Sequence, residues 1–263
     1  MSRLIDELKK LAQVTPPPMG FRASRQVEVT PKVLIIASLD ISLPVADAPV
    51  DSIDGADALL LHSDKSNMTA KAIQKIVEPL PNIPWGVALE DNDDKQAAAS
   101  IEAGCDFVVF SAASRLSTVT HNGKVGKVLQ VESSMDDGLL RAVNDLPVDA
   151  LLVADTPEAS ANLVWHQLMI LQHLGNLISK PLIVPVSASI TEVELKVLGE
   201  IGIDGLMVEV DTTKTGELKK LRQAINKLPP RTGRKRGRMN VLLSRAVGET
   251  PATAPDEEEE EDE

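Results

Sequence analysis

Eight short apolar runs recur along the chain, separated by more polar sequence. Each run has the length of a strand and is rich in Val, Ile or Leu, which is typical of strands buried on both faces of a parallel sheet. Successive runs begin roughly 21–32 residues apart, the spacing of strand–helix units. The runs are Val33–Leu39, Ala58–His62, Trp85–Leu89, Phe107–Ser111, Val128–Glu132, Ala150–Ala154, Leu182–Val186 and Leu206–Val210.

The sequence between the runs carries apolar residues at helical spacing. Thr191 and Glu194 form a capping box that predicts a helix start, and Gly104 and Gly202 follow two of the patterns as helix stops. Ala112–Gly126, after the fourth run, is the weakest helix candidate. The predicted helices are Met68–Leu80, Asp93–Ala103, Asp136–Leu146, Pro157–Ile178, Thr191–Ile201 and Gly216–Leu228.

Eight strand–helix units in one chain predict an α/β fold, a single closed (β/α)₈ TIM barrel. The alternative is an open, doubly wound sheet. We predict an N-terminal helix and proline linker over residues 1–30, the barrel over 31–230, and a disordered tail over 231–263.

The N-terminal helix has Leu4, Ile5, Leu8 and Leu11 on one face. Such a helix can lie on a membrane surface or plug the bottom of the barrel. Its polar face mixes acids with Lys9 and Lys10, which favours the plug.

Composition narrows the setting of the protein. The chain is 43% hydrophobic and 25% charged, as globular domains are, and its single cysteine excludes an internal disulfide. The N-terminus lacks an apolar signal region, and no apolar run reaches the ~18 residues of a membrane-spanning helix. We therefore expect a cytoplasmic protein with no membrane partner. Cys105, just before the fourth run, is expected to be a core residue without chemistry.

Charge is spread unevenly over the net −12 of the chain. Residues 231–247 hold six cations and no acid, whereas residues 249–263 hold nine acids and no cation. The basic stretch suggests a polyanion or protein partner, and Met239–Val247 is apolar enough for a short docking helix. A merely solvated tail is the alternative. The rest of the chain has more acidic than basic residues, which argues against nucleic acid binding over the barrel surface.

Alternation along each strand predicts which side chains face the barrel interior, because the helix-facing set must be apolar. Active sites of barrels lie at the carboxyl ends of the strands, and there the alternation predicts that a set of polar side chains faces the interior. The predicted set is Ser38, Asp40, His62, Glu90, Ser111, Gln130, Glu132, Asp155, Ser187 and Glu209.

Five carboxylates in this set cannot converge in ionised form without compensation. Glu90, Glu132 and Asp155 are candidate ligands of Mg²⁺ or Mn²⁺, which prefer oxygen donors. The same three acids, with His62, are the candidate catalytic acid–base groups. Alternatively the acids point apart and cap helices or pair with cations such as Lys65, Arg115 and Lys214. No lysine lies in the C-terminal half of a run, so a Schiff-base mechanism has no candidate.

Two stretches, Ile101–Phe110 and Leu198–Val208, resemble the helix-to-strand joints of aldolase-type, phosphate-binding TIM barrels. That resemblance implies a phosphate or flavin site at glycine-rich turns after the seventh and eighth strands. Here those turns read Ser187-Ala188-Ser189 and Glu209-Val210-Asp211, without glycine and with two acids. Ser187, Ser189 and Lys214 are the residues that can still contact a phosphate or flavin.

Two functions follow from these patterns. The first is a lyase or isomerase that acts on a small oxygen-rich metabolite through rim carboxylates, with or without a divalent metal. The second is a catalytically degenerate barrel that serves as a binding or scaffold module through its charged tail.

The two charge blocks of the tail attract each other within a Debye length of about 8 Å, so the acidic block is expected to mask the basic one. Deleting residues 249–263 should create salt-sensitive binding to a labelled nucleic acid duplex, measured by fluorescence anisotropy at two salt concentrations. Barrel stability should not change, because a disordered tail buries little apolar surface. The control is the truncated chain with Arg234, Lys235, Arg236 and Arg238 changed to Ser. Equal duplex binding by the full and truncated chains would contradict masking.

Overall fold

Eight parallel strands close into a barrel in which each strand pairs with the next and β8 pairs with β1. The computed structural model describes residues 2–12, 32–41, 51–63, 70–79, 82–89, 94–117, 124–154, 163–210 and 215–228. Closure confirms the predicted TIM barrel over the open sheet. The strands are β1 Leu34–Asp40, β2 Ala58–His62, β3 Trp85–Ala88, β4 Phe107–Ser111, β5 Gly126–Val131, β6 Ala150–Val153, β7 Leu182–Val186 and β8 Gly205–Glu209.

The helices lie close to their predicted positions. They are α1 Arg3–Ala12, α2 Ala70–Val77, α3 Asp94–Glu102, α4 Asp137–Ala142, α5 Trp165–Leu177, α6 Glu192–Ile201 and α7 Glu217–Lys227. Thr191 caps α6 in the predicted capping box, and Gly202 ends that helix with φ 91°. The predicted helix Asp136–Leu146 is divided into α4 and the 3₁₀ turn Val143–Asp145. The proline linker, the tail and residues 155–162 lie outside the described part of the chain.

Two separate apolar cores result from the alternation along the strands. The outer core lies between the barrel wall and the helices and includes Ile35 and Ala37 of β1. The inner core fills the barrel and includes Leu34 and Ile36 of the same strand. Burial of both strand faces explains the nearly continuous apolar runs of the sequence.

Helix α1 closes the bottom of the barrel, as predicted. Its Leu4, Ile5 and Leu8 are buried and belong to the inner core. Gly126 at the start of β5 makes room for this helix, because a Cβ there would lie 2.5 Å from Ile5 Cγ1. No described helix is long and apolar enough to cross a membrane.

The aspartate before β4 fastens α1 to the barrel. Asp106 Oδ2 accepts hydrogen bonds from Ser2 Oγ at 2.7 Å and Leu4 N at 3.0 Å, and Oδ1 accepts one from Arg3 N at 2.8 Å. These are groups of the first helical turn, where backbone N–H groups lack partners within the helix and negative charge is stabilising. The Asp106 carboxylate therefore holds the first turn of the plug, and Lys9 of the same helix pairs with Asp149 at 2.8 Å.

Three other aspartates occupy the equivalent place before β2, β6 and β8. Asp57, Asp149 and Asp204 each donate a backbone N–H to a carbonyl of the preceding strand, which belongs to Ile35, Lys127 and Leu182 respectively. Each carboxylate then accepts the backbone N–H of that same residue, at 2.7, 3.1 and 3.0 Å. We call these two-bond contacts the aspartate clamps. They join the odd strands to the even strands at the bottom of the barrel.

Asp106→Asn should destabilise the protein by about 1–2 kcal/mol, because the amide loses the charge and one acceptor of the α1 cap. For a chain of this size that lowers Tm by about 2–4 °C per kcal/mol, measured by scanning calorimetry. Amide hydrogen exchange should accelerate in α1 before it does so in the strands. Asp51→Asn, at an exposed position, is the matched control. Unchanged exchange in α1 would contradict the role given to Asp106.

Candidate functional site

A cavity of about 310 Å³ opens at the carboxyl ends of the strands. We call it the mouth cavity. Its floor is the apolar inner core, and its polar side chains come from β1, β2, β5 and β8. The lining residues are Ser38, Leu60, His62, Ala88, Val109, Gln130, Leu152, Ala154, Pro185, Val186, Met207 and Glu209.

Ser38 and His62 form the central polar pair of the mouth cavity. Ser38 Oγ lies 3.1 Å from His62 Nδ1, and the tautomer of the ring decides which atom donates. Only 4% of Ser38 is exposed, so its hydroxyl fixes the ring from a buried position. With Nδ1 engaged, Nε2 is the ring nitrogen left for a ligand. An imidazole oriented in this way can exchange a proton with a ligand through Nε2.

Gln130 and Glu209 add an amide and a carboxylate to the same cavity. Glu209 stands beside Ser38 in the β8–β1 register, at the last position of β8. The inward direction of Ser38, His62, Gln130 and Glu209 is confirmed, because all four line the cavity. The cavity thus offers hydroxyl, imidazole, amide and carboxylate groups.

The predicted carboxylates fare differently from one another. Glu132 is exposed and lies one residue beyond β5, where Met135 N–H donates to its carbonyl in a turn. Strand alternation ends there, and among the described side chains Glu132 is not part of the cavity lining. Asp40, at the end of β1, is half-buried. Glu90 and Asp155 lie outside the described residues; on β6 the cavity-lining residue is Ala154.

The predicted phosphate or flavin contacts lie in the turn after β7. Ser187 Oγ and Ser189 Oγ are 2.8 Å apart and hydrogen-bond to each other. Ser189 N–H also donates to Ser187 Oγ, at 3.2 Å. Their hydroxyls therefore satisfy one another within the turn. Lys214, the predicted cation of this site, lies outside the described residues.

The N-terminus of α6 beside this turn already holds a carboxylate. Glu194 Oε2 accepts from Thr191 N at 2.8 Å and Thr191 Oγ1 at 2.7 Å, and Oε1 accepts from Leu163 N at 2.7 Å. Burial of Glu194 works to raise its pKa, but these hydrogen bonds outweigh it and lower the pKa. The side chain is thus an ionised internal anion in the first turn of α6.

Cys105 has no part in the chemistry of the mouth. It is buried before β4 at the opposite end of the barrel. Burial, helped by the nearby Asp106 carboxylate, raises the pKa of the thiol to about 12. The thiolate is therefore scarce at neutral pH, as expected for a core cysteine.

A second depression lies outside the barrel wall, between the β4–β5 face and α4. This apolar groove has a volume of about 480 Å³ and is lined in part by Leu116 and Leu139, which are 75% and 59% exposed. Ser111, predicted to face the interior, lies on this groove. The sequence did not predict this groove, because the spacing of apolar residues does not distinguish exposed leucines on short helices from buried ones.

Comparison with solved structures returns the same fold. A mutant tryptophan synthase alpha-subunit of Pyrococcus furiosus has a TM-score of 0.55 and 11% identity over 75% of this chain and 97% of its own. N-(5'-phosphoribosyl)anthranilate isomerase of the same organism has a TM-score of 0.53 and 13% identity over 74% of this chain and 100% of its own. A protein of Aquifex aeolicus VF5 has a TM-score of 0.57 and 13% identity over 87% of this chain and 98% of its own.

These likenesses show that the chain shares the barrel fold of these structures. No protein-family model and no curated protein matches the chain. What the mouth cavity can bind depends on its own side chains.

The metal site stays a prediction. Within the described ranges, no three His, Cys, Asp or Glu side chains are grouped to hold a metal ion. If Glu132 shares a cation with Glu90 and Asp155, Mg²⁺ or Mn²⁺ should raise Tm. A metal concentration of 100 times the Kd should add about 2.7 kcal/mol to the free energy of unfolding. Glu132→Gln should abolish this gain, whereas Glu102→Gln, exposed at the end of α3, should keep it. A wild-type Tm that does not respond to either metal would contradict the shared site.

Proposed function

We propose that this chain is an enzyme of the lyase or isomerase type that acts on a small oxygen-rich metabolite in the mouth cavity. The observation that carries the proposal is the Ser38–His62 pair inside the cavity at the carboxyl end of a closed barrel. Active sites of this fold lie at that end. Two solved structures that share the fold belong to enzymes by name, a synthase subunit and an isomerase.

His62 is the proposed acid–base group. When Nδ1–H donates to Ser38 Oγ, Nε2 accepts a proton from the substrate, and the imidazolium that forms gives a proton back from Nε2–H. An isomerase returns the proton to a neighbouring atom of the substrate, and a lyase uses the freed electron pair to expel a leaving group. Ser38 is a positioning residue, because it acts through the imidazole.

Gln130 and Glu209 are the proposed substrate-binding groups. Both line the cavity, and hydroxyl or carbonyl oxygens of a small metabolite match an amide and a carboxylate as hydrogen-bond partners. The predicted acids Glu90, Glu132 and Asp155 are retained as candidate metal ligands or acid–base groups at the rim. A divalent cation there would polarise a substrate oxygen.

A binding module without catalysis is the second candidate. Large apolar side chains are exposed in the described chain, including Trp165 at 83% and Leu116 on the apolar groove. Exposed aromatic and aliphatic residues are enriched in protein-binding surfaces. A neighbour of the same fold, the Pyrococcus furiosus tryptophan synthase, works in an α2β2 complex. The catalytic test below separates the two functions.

Incubation of the full chain with a metabolite extract in deuterium oxide tests His62. Proton transfer should produce deuterated ions, resolved by mass spectrometry, that are absent from protein-free samples. His62→Gln should slow their formation by about 10²–10⁴-fold, the usual contribution of acid–base catalysis. Ser38→Ala should slow it less, because the imidazole remains.

His173→Gln is the matched control, because His173 is exposed on α5 and pairs with Asp137. It should leave the deuterated products unchanged. Deuteration by His62→Gln at the wild-type rate would rule out His62 as the acid–base group. A wild type that produces no deuterated ion would favour the binding module.

A further inference from the structure

We propose that the mouth cavity selects small hydroxylated amines, such as amino alcohols and amino sugars, over phosphate esters and carboxylates. This inference rests on the proposed function only in placing the ligand in the mouth cavity. It adds the charge class of that ligand. Three observations carry it: the charges at the strand ends, the lining of the cavity, and the occupied N-terminus of α6.

The carboxyl ends of the strands carry formal charge of one sign. The last residue of each strand and the two residues that follow it include seven acids and neither Lys nor Arg. Because the barrel is closed and parallel, all eight of these segments begin at one rim. The acids are Asp40, Asp64, Glu90, Glu132, Asp155, Glu209 and Asp211. Of these acids, Asp40, Glu132 and Glu209 are described and lie at that rim, and their charge attracts cations to the mouth and repels anions.

The described lining of the cavity also carries negative formal charge. Glu209 is its charged residue, and none of its described members is Lys or Arg. An anionic ligand would lie next to the exposed Glu209 carboxylate with no described Lys or Arg in the lining to offset the repulsion, which is unfavourable. An ammonium group, in contrast, can donate charge-assisted hydrogen bonds to Glu209.

The place where phosphate rests in similar barrels is already used. Glu194 accepts the backbone N–H of Thr191 and of Leu163 at the start of α6, and the hydroxyls of Ser187 and Ser189 bond to each other. A phosphate arriving at this helix would meet an anion in its first turn. The backbone N–H groups of Thr191 and Glu194 at this helix start are engaged by the chain itself.

The remaining polar groups define the uncharged part of the ligand. Ser38 pairs in register with Glu209 on one side, and its hydroxyl bonds to His62 of β2 on the other. Neighbouring strands lie about 4.8 Å apart, so the backbones that carry Glu209 and His62 are roughly 10 Å apart. A cavity of about 310 Å³ with these groups suits a compact molecule that has an amine at one end and hydroxyls near the imidazole.

Matched probes separate charge from shape. The full chain, freed of metal with a chelator, is titrated by calorimetry with glucosamine, glucose and glucose 6-phosphate, and with ethanolamine and ethylene glycol, at a pH where the amines are protonated. Each amine should bind at least about tenfold more tightly than its neutral partner, because of the charge-assisted hydrogen bond. Glucose 6-phosphate should bind no better than glucose.

Glu209→Gln should remove the preference for amines, since the amide keeps the shape but not the charge. Glu200→Gln, exposed near the end of α6, is the control that should retain it. Equal binding of amines and their neutral partners, tighter binding of the phosphate ester, or a preference that survives Glu209→Gln would each overturn the assignment.

Failure of this inference can be told from failure of the proposed function. The preference for amines is an equilibrium property and should persist in His62→Gln. A wild type that prefers amines but yields no deuterated products would overturn the enzyme proposal alone. Deuterated products that all derive from anionic metabolites would overturn the amine assignment alone.

Discussion

Closure of the sheet is the constraint on which the other features of this protein depend. A closed barrel has no edge, so each strand residue faces either the helices or a common interior. The interior must be filled from within, and here α1 and Phe107 fill its lower part. Gly86 shows how tight this filling is, since a Cβ there would lie 2.6 Å from the Phe107 ring. The filling stops below Ser38 and His62, and the mouth cavity is the space that remains above it.

The aspartate clamps show how the same barrel is held at its other end. Asp57, Asp149 and Asp204 each form two hydrogen bonds to the preceding strand, which is β1, β5 or β7. The contact therefore recurs at every second strand where it occurs around the bottom of the barrel. Asp106 keeps the backbone half of this pattern, through Trp85, but turns its carboxylate to α1. Asp149 keeps its clamp through Oδ2 and also accepts from Lys9 of α1 through Oδ1. The packing of α1 and the register of the barrel thereby share Asp106 and Asp149.

Much of the fold could be read from the sequence, because burial on both strand faces leaves apolar runs that few other structures produce. Alternation also placed His62, Gln130 and Glu209 correctly, since each lies within the strand or at its last residue. It predicted Glu132 in the cavity, whereas Glu132 is exposed, because the chain turns as soon as β5 ends. The Ser38–His62 contact was not foreseen, although both residues were expected to face inward on adjacent strands. The four aspartates were visible as Asp followed by apolar residues, but their partners are backbone groups that no sequence pattern records.

The burial of Cys105 has a practical consequence. It is the single cysteine of the chain, it lies next to Asp106, and a thiol with a pKa of about 12 hardly reacts while it is buried. Cys105 packs in the outer core, so a thiol reagent can label it only when the packing between the barrel wall and the helices opens transiently, and the labelling rate measures that opening. The native chain thus carries its own reporter of local opening at a single defined position, without any engineered probe.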